Sequence, residues 1–246
     1  MQEAPIVRSR ELGGVAGYAI GVLHVASPFA FVPGNIQNAT TLPFAAAYEC
    51  VPGISLGQVL SGAPAVEVGI VAAAQRLETR GVRAIVGACG SFANFQQALT
   101  NKCLVPVFSS VLTQVPWLIG SLPRSQRLAI VFADKNSFTD RVRQQCSIDD
   151  VDRLVITDCI GLPPFRALIE EPYFIENQAL EDALIQHLQA LVDSNPDIGM
   201  IMLQCSELPP YAAAIQMRVG RPIVDVVTLA NWLFSTVVRT PYRGYL

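Results

Sequence analysis

A segment of the chain occurs twice at a constant offset, and this repeat limits the possible folds more than any other feature of the sequence. Cys89 and Cys205 each follow an apolar stretch, and Pro106 and Pro222 each open a later one; 205 − 89 and 222 − 106 both give 116. We therefore expect two lobes that arose by duplication of one unit. Further apolar positions match at the same offset, namely Phe95 with Tyr211, Ala98 with Ala214, Leu99 with Ile215 and Val107 with Ile223.

Short apolar stretches alternate with stretches of helical periodicity along the whole chain, a pattern typical of parallel sheets built from βαβ units. The sequence predicts an α/β protein with two duplicated flavodoxin- or Rossmann-like lobes, parallel sheets and an active site in the cleft between the lobes. The predicted strands are 18–25, 45–51, 84–88, 105–108, 128–132, 154–157, 199–203 and 222–224. The predicted helices are 63–79, 92–99, 109–118, 137–146, 178–192, 209–219 and 227–238.

The boundary between the lobes is expected at the segment "GSLPRSQ", residues 120–126. The first lobe then comprises residues 1–120 together with 225–246, because the last predicted helix is the repeat equivalent of 109–118 and is expected to pack back on that lobe. The second lobe comprises residues 121–224.

Composition excludes several classes of function. The 246 residues carry a net charge of −3 and include only two lysines, which argues against nucleic acid as a partner and against a polybasic membrane patch. The N-terminal apolar stretch is interrupted by His24 and Pro28 before it reaches the ~18–20 residues of a membrane helix, so we expect a buried strand rather than a signal peptide. Charged residues make up only 15% of the chain, which is consistent with burial in a homo-oligomer.

The six cysteines show no CxxC spacing, which argues against a zinc site, and they indicate reduced thiols in the cytoplasm. Two of them, Cys89 and Cys205, stand where a predicted strand gives way to a predicted helix. Ligands bind at the carboxyl ends of parallel strands, and helix N-termini stabilise negative charge. We therefore expect both thiols to line one cavity, each with a lowered pKa. One thiolate could remove a proton from a carbon acid and the other thiol could return one, without a cofactor.

These residues resemble the aspartate/glutamate/hydantoin racemase superfamily, which carries Cys-Asn-Thr-like and Cys-Thr-Glu-like motifs in its two lobes. The matching segments are Cys89-Gly90-Ser91 and Cys205-Ser206-Glu207, and "PGNIQN" (33–38) resembles a segment of one branch. Gly90 departs from the usual Asn. The resemblance implies a cofactor-independent racemase or epimerase of a small carboxylate, such as an amino acid, that uses two-thiol proton transfer. A maleate-type cis–trans isomerase with a Cys nucleophile and a non-catalytic ligand-binding or redox protein are the alternatives.

The predicted catalytic residues are Cys89 and Cys205, and no metal ligands are predicted. The predicted substrate-binding residues are Gly90, Ser91, Ser206, Glu207, Asn38 and His24. All of the substrate-binding residues except Gly90 have a structural alternative: the serines as helix N-caps, Glu207 as a first-turn acid, Asn38 as a turn residue and His24 as a satisfied histidine.

Overall fold

The computed structural model describes residues 15–171 and 173–244, and its strands form two four-stranded parallel sheets. The order is β2-β1-β3-β4 in the first sheet and β6-β5-β7-β8 in the second, so the two sheets repeat one topology. This confirms the predicted fold class. The strands are β1 (Ile20–His24), β2 (Ala46–Cys50), β3 (Ala84–Gly87), β4 (Val107–Phe108), β5 (Arg127–Phe132), β6 (Leu154–Asp158), β7 (Ile198–Leu203) and β8 (Ile223–Val224).

Helices connect most of the successive strands, as is usual for parallel strands. The described residues between β1 and β2 form no helix, and the last helix follows β8. The helices are α1 (Leu56–Leu60), α2 (Glu67–Thr79), α3 (Gln96–Lys102), α4 (Val115–Ser121), α5 (Asp140–Gln145), α6 (Pro163–Glu170), α7 (Asn177–Ser194), α8 (Ala212–Val219) and α9 (Val226–Val237). Helix α1 was not predicted, although Ser55 and Gln58 form a capping box at its start. Helix α6 was also missed, and it begins with two prolines in its first turn.

The segments that follow the two cysteines differ from the prediction. Residues Gly90–Phe95 form a 3₁₀ helix, and the α-helical geometry of α3 begins only at Gln96. Phe92 and Phe95 are three residues apart and fully buried, and the period of three in a 3₁₀ helix places both on the same face. After Cys205, a turn and a short 3₁₀ helix (Pro209–Tyr211) precede α8. Neither cysteine therefore stands directly at the start of an α-helix.

One apolar core is shared by the two lobes. Val86 of β3, Phe132 of β5 and Met202 of β7 belong to the same buried cluster, together with Val226 of α9. Each sheet also packs a separate cluster on its outer face. Helix α9 packs against β1 and β3 of the first sheet, and the exact lobe boundaries stay a prediction.

Over the described ranges, no helix has the length and hydropathy needed to cross a membrane. The same residues contain no cluster of His, Cys, Asp or Glu side chains suited to holding a metal ion.

Candidate active site

The two cysteines occupy equivalent positions at the carboxyl ends of the sheets. Cys89 lies two residues after β3, and Cys205 lies two residues after β7. Both are half-buried free thiols. The carboxyl edge of a parallel sheet is where ligands bind in folds of this kind, so the placement agrees with the sequence-based expectation.

Gly90 brings the two cysteine segments into contact. A Cβ added at Gly90 would lie 2.2 Å from Nε2 and 2.6 Å from the backbone oxygen of Gln204, the residue before Cys205. The two segments therefore approach so closely that no side chain fits at position 90. This gives a physical reason for the absence of the Asn that the superfamily motif carries there. A substrate contact through the backbone of Gly90 stays a prediction.

The segment "PGNIQN" of the first lobe reaches over the second cysteine segment. Asn35 is fully buried, and its Nδ2 donates hydrogen bonds to the Ser206 carbonyl and to Oε2 of Glu207, both at 3.0 Å. Gly34 has φ 103° and packs against Pro210, where a Cβ would meet the Pro210 Cα at 2.5 Å. The segment is thus shaped to place Asn35 against Glu207.

Sequence reasoning selected Asn38 in this segment and missed Asn35. Asn38 Nδ2 donates to the Phe31 carbonyl, while its Oδ1 accepts from the backbone N–H and the hydroxyl of Thr40. Asn38 is thus engaged in its own turn. Asn35 could have been found from its place directly after a glycine in the motif, but its partners lie 171 and 172 residues away and leave no local signal.

His24, Ser91 and Ser206, the other predicted substrate-binding side chains, lie close to polar groups or within a turn of helix. His24 Nδ1 lies 3.3 Å from Nε2 of Gln37, and its ring meets Tyr48 edge-on. Ser91 lies inside the 3₁₀ helix, whose N-cap is Cys89. Ser206 Oγ lies 3.4 Å from Oε1 of Glu207. Neither serine is a helix N-cap, so the structural alternative of helix capping does not hold for them. Their contact with a substrate stays a prediction.

The electrostatic setting of the thiols differs from the expectation. Burial raises the pKa of Cys89, and hydrogen bonds from the backbone and hydroxyl of Ser91 and the backbone of Phe92 oppose that rise. Burial also raises the pKa of Cys205 well above its ordinary value, and the Glu207 carboxylate raises it further. Cys159 and Cys89 add smaller contributions that raise the pKa of Cys205 in the same direction. The expected lowering of both pKa values did not allow for burial or for Glu207.

Glu207 is the acidic group of the site. Its side chain is buried, with 7% of its surface exposed. Burial raises the pKa of Glu207 from 4.5 to about 7, although hydrogen bonds from Asn35 and Ser206 favour the carboxylate. The charge of Glu207 raises the pKa values of Tyr211, Cys89 and Cys205. Glu207 is therefore poised to change its charge near neutral pH.

This predicts a pH-dependent effect of Glu207→Gln on stability. Because the pKa of Glu207 is raised in the folded state, folding favours the protonated carboxyl group. The resulting contribution to stability is fully present at pH 4.5 and below, and it is lost as the pH rises to about 7. The difference between the folded and unfolded pKa values corresponds to roughly 3 kcal/mol of the free energy of unfolding. We expect the free energy of unfolding of Glu207→Gln, measured in urea and compared with that of wild type, to rise by up to that amount between pH 5 and pH 8. An equal difference between the two proteins at both pH values would contradict the prediction.

Curated relatives match almost the whole chain. The dimethylsulfoniopropionate lyase 7 of Emiliania huxleyi is 25% identical over 240 residues, which cover 92% of this chain and 69% of that protein. The dimethylsulfoniopropionate lyase of Durusdinium sp. clade D is 25% identical over 234 residues, covering 92% of this chain and 77% of that protein. Two further Emiliania huxleyi lyases, numbered 3 and 6, are matched over 61% of their length, so the chain spans less than two thirds of those relatives. No family model matches the chain.

Solved structures agree on the fold. The allantoin racemase of Klebsiella pneumoniae has a TM-score of 0.60 and 15% identity, covering 90% of this chain and 88% of that one. The chain has the fold of the aspartate/glutamate/hydantoin racemase superfamily. Unliganded arylmalonate decarboxylase (TM-score 0.55, 15% identity, 90% and 92% covered) and the glutamate racemase of Bacillus anthracis (TM-score 0.54, 17% identity, 89% and 81% covered) have it too.

This superfamily fold confirms the resemblance seen in the sequence, but the predicted reaction is wrong. The sequence relatives are named lyases, which contradicts a racemase or epimerase and gives no support to a cis–trans isomerase. Relatives and structural neighbours alike are enzymes. The prediction of an enzyme therefore stands, whereas the prediction of an isomerase does not.

Proposed function

We propose that this protein is a carbon–sulfur lyase that cleaves dimethylsulfoniopropionate, or a closely related sulfonium carboxylate, into dimethyl sulfide and acrylate. The observation that carries this proposal is the set of relatives named for that activity, which match 92% of the chain. The pair of half-buried thiols at the carboxyl edge of the sheets supports it, because the reaction needs a base beside a bound carboxylate.

The reaction is a β-elimination. A thiolate takes a proton from C2, next to the carboxylate, and the electron pair of that C–H bond forms the C2–C3 double bond. The C3–S bond breaks, its electron pair stays on sulfur, and neutral dimethyl sulfide leaves. The proton now on the thiol passes to solvent, so the thiol pair is restored without any oxidant or reductant. No group of the enzyme has to protonate the leaving group.

This chemistry shares its first step with the racemisation that the sequence suggested. In both reactions a thiolate removes a proton from the carbon beside a carboxylate. The outcome depends on whether that substrate carries a leaving group on the next carbon. The predicted small carboxylate substrate is thus retained, with a sulfonium group added.

We assign the role of base to Cys89. Its sulfur receives hydrogen bonds from the backbone and hydroxyl of Ser91 and from the backbone of Phe92, and these favour the thiolate. Cys205 receives one from the backbone of Glu207 and stands beside the Glu207 carboxylate, which disfavours a second negative charge. Cys205 is then the neutral thiol of the pair, available to donate a hydrogen bond as charge develops on the substrate.

The test is to incubate the purified protein with dimethylsulfoniopropionate and to follow dimethyl sulfide by gas chromatography and acrylate by NMR. We expect the two products in equal amounts, and none from a Cys89→Ser/Cys205→Ser double variant that is shown to be folded. Formation of 3-hydroxypropionate in place of acrylate, or no turnover at any concentration, would contradict the proposal. Association into a homo-oligomer and a cytoplasmic location stay predictions.

A further inference from the structure

Glu207 is a buried carboxylate whose hydrogen-bond partners are all uncharged. Its oxygens interact with the Asn35 amide and the Ser206 hydroxyl. The ion pairs found among residues 15–171 and 173–244 involve other acids, namely Glu49, Asp140, Asp158 and Asp197. Within that part of the chain, no Lys, Arg or His side chain forms an ion pair with Glu207.

Such an arrangement is unfavourable for the protein alone. A buried carboxylate without a cation loses its hydration and gains no compensating charge. Asn35 comes from the other lobe, and its Oδ1 is held by the backbone N–H of Gln37 at 2.8 Å, so its amide donors stay directed at Ser206 and Glu207. The fold thus fixes an acid beside the two thiols and leaves its countercharge to come from elsewhere.

We propose that Glu207 determines substrate specificity by pairing with the positively charged group of the substrate, a sulfonium or quaternary ammonium centre. This inference rests on the proposed function for the position of the site and for the carboxylate end of the substrate. Cys89 and Cys205 flank the C2–C3 bond, and the cation on C3 meets the carboxylate of Glu207. A small carboxylate without that cation would leave Glu207 unpaired.

Cation binding would also help the base. The Glu207 charge raises the pKa of both Cys89 and Cys205 after the larger effect of burial. A bound cation beside Glu207 cancels part of the effect of the Glu207 charge on the two thiols. A thiolate therefore becomes easier to form only when the correct substrate is present. The site would then be least reactive towards adventitious electrophiles when it is empty.

The experiment compares two unreactive ligands of nearly equal shape, 3-(trimethylammonio)propionate and its neutral analogue 4,4-dimethylpentanoate. Their dissociation constants are measured by isothermal titration calorimetry, which requires neither lyase activity nor a reactive thiolate. We expect wild type at pH 8 to bind the cationic ligand at least tenfold more tightly. We expect Glu207→Gln to reduce the ratio of the two dissociation constants to about one. The control variant Glu170→Gln, which changes an exposed acid, is expected to leave this ratio unchanged.

A second arm needs no substitution. At pH 5.5 Glu207 is largely protonated, because its pKa is about 7, whereas both ligands remain carboxylates. The ratio of the two dissociation constants in wild type is therefore expected to fall towards one at pH 5.5. Across this range Cys89, Cys205 and Tyr211 keep their protons, because their pKa values are raised.

Three results would overturn the inference: equal affinity for both ligands in wild type at pH 8, an unchanged ratio of the two dissociation constants in Glu207→Gln, or no detectable binding of either ligand at tens of millimolar. Failure of the proposed function looks different. If dimethylsulfoniopropionate is not cleaved but the ratio still collapses in Glu207→Gln, the lyase reaction is wrong and the cation site stands. If cleavage occurs but the ratio is insensitive to Glu207, the cation site is wrong and the lyase stands.

Discussion

Replacement of Cys89 by Ser is expected to lower kcat/KM for dimethylsulfoniopropionate by about 10²–10⁴-fold, the usual contribution of a positioned general base. A serine hydroxyl is almost the same size as a thiol but far less acidic, so it cannot supply the anion that takes the C2 proton. We expect Cys205→Ser to cause a smaller loss, because a hydroxyl can still donate a hydrogen bond. Cys103→Ser serves as the control, since Cys103 directly follows α3, away from the carboxyl edge of the sheet.

The measurement is the initial rate of acrylate formation by the three variants at equal folded concentration, checked by circular dichroism. A larger loss for Cys205→Ser than for Cys89→Ser would move the role of base to Cys205. Full activity in both variants would remove the thiol pair from the mechanism altogether.

Substitution of Gly90 by Ala is expected to destabilise the protein by about 1–3 kcal/mol, the usual range for overpacking a buried site. The added methyl would lie 2.2 Å from the Gln204 side chain and 2.6 Å from the Gln204 backbone oxygen. The side chain can turn away, but the backbone oxygen can move only if the two cysteine segments separate. We therefore expect the lyase rate to fall as well, because the distance between the thiols changes.

Gly120→Ala provides the matched control for this change. Gly120 is exposed in α4, and a Cβ there would meet nothing within 4 Å, so alanine is expected to leave stability unchanged or raise it by up to about 1 kcal/mol. Urea unfolding monitored by tryptophan fluorescence measures both variants. A Gly90→Ala protein as stable and as active as wild type would show that the lobes do not approach each other as described.

The lobes themselves could be predicted from the sequence because their signal is local and repeated. Strands such as β3 and β5 are apolar runs that are buried on both faces, and the cysteine and proline positions recur at one offset. The structure of the segments after the cysteines could not be predicted in the same way. Whether residues 90–95 wind as an α-helix or a 3₁₀ helix depends on tertiary burial of Phe92 and Phe95, which a local pattern does not specify.

The candidate site was predicted in part for a similar reason. Cys89, Cys205 and Glu207 stand in the two cysteine motifs. Asn35 stands in "PGNIQN", but it acts on Glu207 across the lobe interface, and no local pattern distinguishes it from Asn38. The reaction was predicted wrongly because two thiols and a bound carboxylate serve racemisation and elimination equally well. The leaving group that separates the two reactions belongs to the substrate, which the sequence does not name. The names of the sequence relatives are what favour elimination in the proposed function.

Deuterium substitution in the substrate tests the central claim most directly. If a thiolate removes the C2 proton, dimethylsulfoniopropionate with two deuterium atoms on C2 is cleaved several-fold more slowly than the unlabelled compound, because the C2–H bond breaks in the step that expels dimethyl sulfide. Deuterium on C3 is then expected to change the rate only slightly. Equal rates for the unlabelled and C2-deuterated substrates, together with a propionate adduct on Cys89 or Cys205 in the mass spectrum, would contradict the account and point instead to thiolate attack on C3.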